Sequence, residues 1–354
     1  MKFTDTQLKQ RGRAEIDFLA AMGVAGAAIA KQVNEEVDQV VANFSELPVD
    51  LDQRNRDLEA ALSANQAFRI QNMLGEWGAR QHGEIAISAF EEIQPELQNE
   101  LDRLSHGATK IFSDDDFTAP AYWQGVEFHR TTGGWDGHPH MGYIHGEIIH
   151  RKMVGKFASG NIFQQRKAVA KLASKTHYDT ILDMGCSSGH FTLALAEVYP
   201  QAKIAGVDLS LRMLEHSQRI ANDNGWEWKL FQRAAEDTGF ADNQFDLVSS
   251  YILLHEMPED AIKSMFKEAL RVMKPGGELL MSDVTRYADL SPLEQWRADR
   301  GAMYGGEPHW RESASLDFHE LLSQLGFDDV SVGGMDGQKY PYVIQARKPN
   351  EQRD

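Results

Sequence analysis

Apolar residues recur at three- and four-residue spacing through most of the first 110 positions, and runs with strand character are nearly absent there. This pattern predicts three helices. The first starts at Thr4 or Asp5, reaches about Phe44 and is stopped by Pro48. The second covers about 52–75. The third covers about 77–104, closes near Gly107 and carries Ala86, Phe90, Ile93, Leu97, Leu101 and Leu104 on one face. Pro95 falls inside it and predicts a kink or a split. From 112 to 150 the periodicity gives way to glycine, histidine and aromatic residues, the composition of a functional loop or lid. After a helix over 162–174, short apolar runs alternate with helices. Strands are expected at 180–184, 204–208, 228–233, 245–249 and 278–283, with a closing pair at 329–332 and 342–347. A helix over 260–273 is stopped by Pro275-Gly276-Gly277, and a last one over 316–325 ends at Gly326. That alternation predicts an α/β fold with a doubly wound, seven-stranded sheet behind an all-α N-terminal domain. The expected division is 1–110 helical, 111–154 linker or substrate lid, and 155–354 α/β.

The totals narrow the possible partners. A chain of 354 residues suggests two domains. A net charge of −17 argues against nucleic acid and against an anionic membrane surface, since both need Lys and Arg to meet phosphate. One cysteine cannot form an internal disulfide, which fits a reducing, cytoplasmic setting. The apolar stretch 18–30, behind Lys9, Arg11 and Arg13, imitates a leader peptide, but Asp5, Glu15 and Asp17 interrupt its basic flank. It is also shorter than the roughly 20 residues a bilayer requires and reads as a buried helix. Long helices must cover their apolar faces, so a homodimer through the helical domain is expected. Packing on the chain's own second domain is the alternative.

The candidate chemistry centres on Ile181-Leu-Asp-Met-Gly-Cys-Ser-Ser-Gly-His, a strand end, a glycine turn and a helix start. Glycines let a ligand approach the backbone, and a helix N-terminus offers free N–H groups. The D-x-G-x-x-x-G spacing is neither the dinucleotide fingerprint nor a phosphate loop. Asp183 to Gly189 resembles the first motif of the class I methyltransferases that use S-adenosylmethionine, of the type 11 (UbiE-like) kind. Three further stretches resemble that family in order and spacing: IAGVDLS, residues 234–248, and VMKPGGELLMSD at 272–283. The resemblance covers about 155–354.

It implies S-adenosylmethionine as cofactor, held by Asp183, Gly185, Cys186, Ser187 and Gly189, with Leu209, Ala235 and Ser250 close by. Asp208, at the end of the second strand, would accept the ribose hydroxyls, unless it only caps the next helix. Where the family usually has an aspartate for the adenine amino group this chain has Ala234, so the role passes to Glu236 or to the backbone around Ala235. His255 and Glu256, after the fourth strand, resemble the His-Asp of small-molecule O-methyltransferases, in which the histidine deprotonates a hydroxyl. The competing reading is the start of a helix. The implied activity is O-methylation of an aromatic or apolar small molecule. N-, S- or C-methylation by proximity, metal-assisted transfer using the His129–His150 loop, and a non-methylating or non-catalytic cofactor-binding protein are the alternatives.

Trp123, Trp135, His140, Tyr143, His145 and Tyr251 are the candidate acceptor contacts, with Tyr122 and Phe128 nearby. The histidines between 129 and 150 include an H-x-H spacing that could meet a metal ion, but without a recognised ligand motif no metal is assigned. Trp296, Tyr304 and Trp310 fall in an insertion that would border the acceptor pocket and read individually as packing residues.

Overall fold

The computed structural model describes residues 3–154 and 161–350. The expected boundary at 154/155 therefore lies at the edge of the described residues. Eight strands form one sheet in the order β1-β4-β3-β2-β5-β6-β8-β7. The seven expected strands are β2 (Thr180–Met184), β3 (Lys203–Asp208), β4 (Lys229–Gln232), β5 (Phe245–Tyr251), β6 (Met273–Asp283), β7 (Asp328–Gly334) and β8 (Tyr342–Arg347). An eighth, β1 (Lys110–Phe112), adds to the edge of β4 in parallel, Ile111 opposite Leu230. Strands β1 to β6 run parallel, and β8 pairs antiparallel with both β6 and β7. Parallel strands direct their C-terminal ends to one edge, where ligands bind at the reversal of strand order. Here the reversal falls between β2 and β5.

The N-terminal region is helical, with boundaries that differ from expectation. Residues 3–5 form a short 3₁₀ turn, and the first long helix, α1, is Gln10–Val41. The break expected near Gly75 falls earlier. Helix α2 (Leu51–Leu62) ends at Ser63, and Asn65 caps α3 (Gln66–Leu104) by accepting from Phe68 N at 2.8 Å. The cap overrides the glycines, so α3 runs through Gly75, Gly78 and Pro95 without splitting. Gly12 of α1 faces Ala89 of α3 so closely that a Cβ there would lie 2.8 Å from the alanine methyl.

The middle of α1 is not the buried helix read from composition. Phe18 is 55% and Val24 74% exposed, and only 17% of its most apolar window is covered. Among the described residues it is the one helix long and apolar enough, by length and composition, to cross a membrane.

Two contacts fix the helical layer onto the sheet. One apolar core runs without interruption from Ile16, Phe90 and Leu101 through Tyr143 and Ile148 to Phe191 and Leu247. At the far end, α2 packs on the helix Pro292–Gly305, where the Asp299 carboxylate, 5% exposed, accepts from Asn55, Tyr287 and the Nε and Nη2 of Arg311 at 2.7–3.0 Å. Removing one partner of a buried, hydrogen-bonded pair strands the others. We expect Asp299→Ala to lower unfolding free energy by about 3 kcal/mol, measured by urea denaturation of both proteins. A loss within experimental error would mean that Arg311 and Tyr287 find solvent without cost.

Candidate active site

The turn after β2 is a succession of left-handed residues: Gly185 (φ 69°), Ser187 (φ 47°) and Gly189 (φ 83°). A Cβ on Gly185 would lie 2.6 Å from the Leu253 side chain, so glycine lets this turn pass beneath the segment that follows β5. Gly189 then starts the helix His190–Val198. At the end of β3, Asp208 accepts from Ser187 N at 2.8 Å and from Ser210 N at 2.9 Å. Burial outweighs these two donors and pushes its pKa up to about 7. The cap of helix Leu211–Asn224 is Ser210, which accepts from Met213 N, so Asp208 is not the helix cap.

These turns floor a cavity whose wall includes Gly185, Cys186, Ser187, Asp208, Leu209 and Ala235. Asp183 sits behind the wall, its carboxylate accepting from Thr192 at 2.6 Å and Ser249 at 3.4 Å, and burial pushes its pKa up to about 7. Gly189 packs against Ser217. Ser250 is buried with its hydroxyl unpartnered. Glu236 accepts from the Tyr122 hydroxyl at 2.9 Å, so Tyr122, which does line the cavity, stands between it and the interior. Cys186 is buried among carboxylates, and burial raises its thiol well above the ordinary range, which leaves it an unreactive small wall residue.

The loop from 111 onward and the helical segment after it form the roof. Trp123, Trp135, His145 and Tyr251, four of the six expected acceptor contacts, line the cavity together with His129, His150 and Glu256. The other two pack away from the cavity, Tyr143 in the core and His140 half-buried beside it. His140 lies against Phe90, with ring centroids 5.2 Å apart, and Tyr143 is 1% exposed between Phe3, Phe90 and His216. The H-x-H pair His138 and His140 packs on Phe90 and meets no third ligand among the described residues. Trp296 stacks on Phe68, and Trp310 lies against His255.

The reason is helical register. Met141–Tyr143 is α-helical and Ile144–Val154 continues as a π-helix. In an α-helix, positions 145 and 150 would point about 140° apart. The wider π winding brings residues five apart onto one face, and the two rings lie 4.1 Å apart. His145 is buried and His150 half-buried, each with Nδ1 enclosed and unpartnered among the described residues. Burial, reinforced by neighbouring imidazoles, holds both well below the ordinary histidine value. They are neutral at neutral pH.

His255 is 1% exposed and stands outside the cavity wall. Its Nδ1 donates to Asp283 at 2.9 Å. Burial opposes its charge, but Asp283, with Glu307 and Glu256, outweighs burial and raises its pKa. His129, in a left-handed conformation (φ 53°), meets Glu256 at 2.9 Å through Nε2 and Glu307 through Nδ1. Burial works against its charge and the two carboxylates override it, pushing the pKa up to about 10.

One wall residue was not read from the sequence. Arg166, on the helix Ile162–Ala170, is 8% exposed and has no carboxylate partner among the described residues. It donates to Ile162 O at 3.3 Å and lies over the Tyr251 ring. Its place inside a predicted amphipathic helix carried no signal.

Residues 181–277 match the family described as methyltransferase domain. Over 104 residues the chain is 36% identical to the malonyl-[acyl-carrier protein] O-methyltransferase of Legionella pneumophila, covering 29% of this chain and 35% of that protein. It is 31% identical over 181 residues to the ubiquinone/menaquinone biosynthesis C-methyltransferase UbiE of Desulfotalea psychrophila, covering 47% of this chain and 72% of that one. The chain thus spans about a third of the first relative's length and nearly three quarters of the second's. A solved phosphoethanolamine N-methyltransferase 2 of Haemonchus contortus, in complex with S-adenosyl-L-methionine, aligns at 17% identity with a TM-score of 0.48, covering 65% of this chain and 60% of that one. With the glycine turn, the acidic end of β3 and this sheet order all in place, the chain belongs to the class I S-adenosylmethionine-dependent methyltransferases.

Proposed function

We propose that this chain transfers the methyl group of S-adenosylmethionine to a hydroxyl of a small aromatic or otherwise apolar molecule. The observation that carries this reading is a single cavity in which the glycine turn and Asp208 face Trp123, Trp135, Tyr251 and two neutral imidazoles. Its residues fit the cofactor: a side chain on Gly185 would close the turn, and Arg166 presents a buried guanidinium, without a carboxylate partner among the described residues, that suits the methionine carboxylate. When bound, the cofactor supplies an electrophilic methyl carbon on a sulfonium. The chain's own part is to align the acceptor, exclude water and take its proton.

The base role expected of His255 passes in this reading to His145 and His150. They line the cavity in their neutral form, whereas His255 is committed to Asp283 behind Glu256 and His129. His255 and Glu256 then position the wall. Glu236 or the backbone at Ala235 remains the proposed partner for adenine, Asp208 for the ribose, and Asp183 and Ser250 support the turn from behind. Two copies pair, in the same reading, through the exposed face around Phe18, Val24, Met73 and Trp77. Sedimentation should give a dimer at micromolar concentration and a monomer for Phe18→Glu/Val24→Glu; a monomeric wild type refutes the pairing.

The direct test is label transfer from methyl-labelled S-adenosylmethionine to phenols, amines, thiols and carboxylates. Transfer to phenols supports the reading, and transfer confined to the other classes replaces the acceptor atom. Arg166→Met should weaken cofactor binding at least about tenfold, the worth of one charge-assisted hydrogen bond, measured by calorimetry; unchanged affinity would free Arg166 for the acceptor.

The pH profile separates the two candidate bases. Because His145 and His150 are held below 6.5, kcat/KM should stay level as pH falls from 8 through 6.5 and decline only in more acid solution. A base at His255, whose pKa is raised, would make the decline begin above 6.5. His145→Asn or His150→Asn should cost about a hundredfold in kcat, and wild-type turnover in both would remove the pair from the chemistry.

A further inference from the structure

Two clusters of acidic and imidazole side chains have the reach to hold a cation: Glu147 with His190 and His216, and His129 with His255 and Glu256. The first is closed. One oxygen of Glu147 accepts from His190 at 2.9 Å and His216 at 3.2 Å, the other accepts from Arg151 at 2.6 Å, and its side chain is 0% exposed. Both carboxylate oxygens are taken and the arginine already supplies the positive charge; the one spare nitrogen, His216 Nδ1, belongs to a ring whose Nε2 is held by Glu147.

The second cluster is different. Glu307, from the segment after helix Pro292–Gly305, enters it from the opposite side, with one oxygen on His129 and the other, Oε2, buried without a hydrogen-bond partner. The side chain is 8% exposed. Oε2 stands 3.9 Å from His255 Nε2, too far for a hydrogen bond. Two ligand atoms that share a tetrahedral zinc at about 2.1 Å lie about 3.4 Å apart, so the gap has the width an ion would span. Behind it, Asp283 accepts from His255 Nδ1 at 2.9 Å, which turns Nε2 toward the gap in the carboxylate–histidine arrangement that orients metal ligands. Three carboxylates, Asp283, Glu256 and Glu307, converge here on two imidazoles, and the Trp135 indole N–H is the further donor to Glu256.

We infer that His129, His255, Glu256 and Glu307 form a site for one divalent transition-metal ion at the wall of the methyl-transfer cavity. Two imidazoles with two carboxylates are a donor set for zinc and neighbouring first-row ions, softer than the all-oxygen sets that magnesium and calcium prefer. His129 and Glu256 line the cavity, so the ion would lie within reach of an acceptor oxygen. The site depends on pairing a residue of the loop with one 178 positions later (307 − 129), and does not require the acceptor assignment above.

The test uses the full chain, stripped with chelator and returned to zinc-free buffer. Zinc uptake is followed by equilibrium dialysis with elemental analysis, and Co2+ by its visible d–d bands. The expected result is one equivalent per chain with sub-micromolar affinity, weakened at least tenfold in Glu307→Gln and in His255→Asn. S-adenosylmethionine binding and thermal unfolding are measured on the same samples to show that each variant is folded. Less than a tenth of an equivalent on folded wild type overturns the inference, as does Glu307→Gln binding zinc like wild type. Cofactor binding without zinc uptake would leave the methyltransferase reading standing and remove the site; zinc uptake without cofactor binding would do the reverse.

Discussion

The buried carboxylate of Glu147 holds the roof of the cavity in place. It takes both imidazoles behind the glycine turn, His190 and His216, and also Arg151 from its own helical segment. Burial alone would raise its pKa, but the two histidine hydrogen bonds outweigh burial and hold it well below the ordinary carboxylate value. Breaking such a fully paired network leaves charge stranded in a dry interior, which costs far more than an exposed ion pair. The approach is possible because Gly142 and Gly146 carry no side chains. A Cβ on Gly142 would sit 2.3 Å from Arg212 O, and one on Gly146 would sit 2.6 Å from His190 Cε1. With the segment pressed this close, the π winding sets His145 and His150 side by side above the turn that Asp208 and Ser187 close. The acid–base character of the cavity follows from that packing.

What was legible in the sequence was local. The strand–turn–helix of 180–196, the acidic end of β3 and the hairpin β7–β8 announce themselves through apolar runs and glycines whose backbone angles only glycine adopts freely. The α2–α3 boundary was misplaced because Gly75 and Gly78 look like breaks, whereas the asparagine cap at 65 and the apolar face after it decide the matter. The three residues of β1 carry no strand signal of their own, since pairing with β4 makes them a strand.

The histidine-rich stretch could not be apportioned in advance. Its residues look equivalent under an α-helical or loop reading, yet His138, His140 and Tyr143 turn to Phe90 while His145 and His150 turn to the cavity. A change of helical period within a few residues separates them, and no residue type encodes it. Arg166 was passed over for the opposite reason. In a helix an arginine reads as solvated, and only the fold shows this one buried beside Tyr251 without a counter-charge among the described residues. The exposed middle of α1 is a parallel case, because composition cannot say which apolar helix is covered.

The cavity lining is of mixed charge. It holds the carboxylates of Asp208 and Glu256, with Glu236 bonded to Tyr122, and also Arg166, His145 and His150. Water is the medium in which such groups are cheapest to hold, so a fold that buries polar groups with hydrogen-bonding capacity to spare recovers part of the cost from what it binds. A ligand that carries both hydroxyl donors and an anion complements such a lining, and one that offers only apolar surface does not. This is why the aromatic wall residues alone do not define the site. In the proposed reading Trp123, Trp135 and Tyr251 would shape an acceptor, and the fixed charges around them would orient it toward the neutral imidazoles.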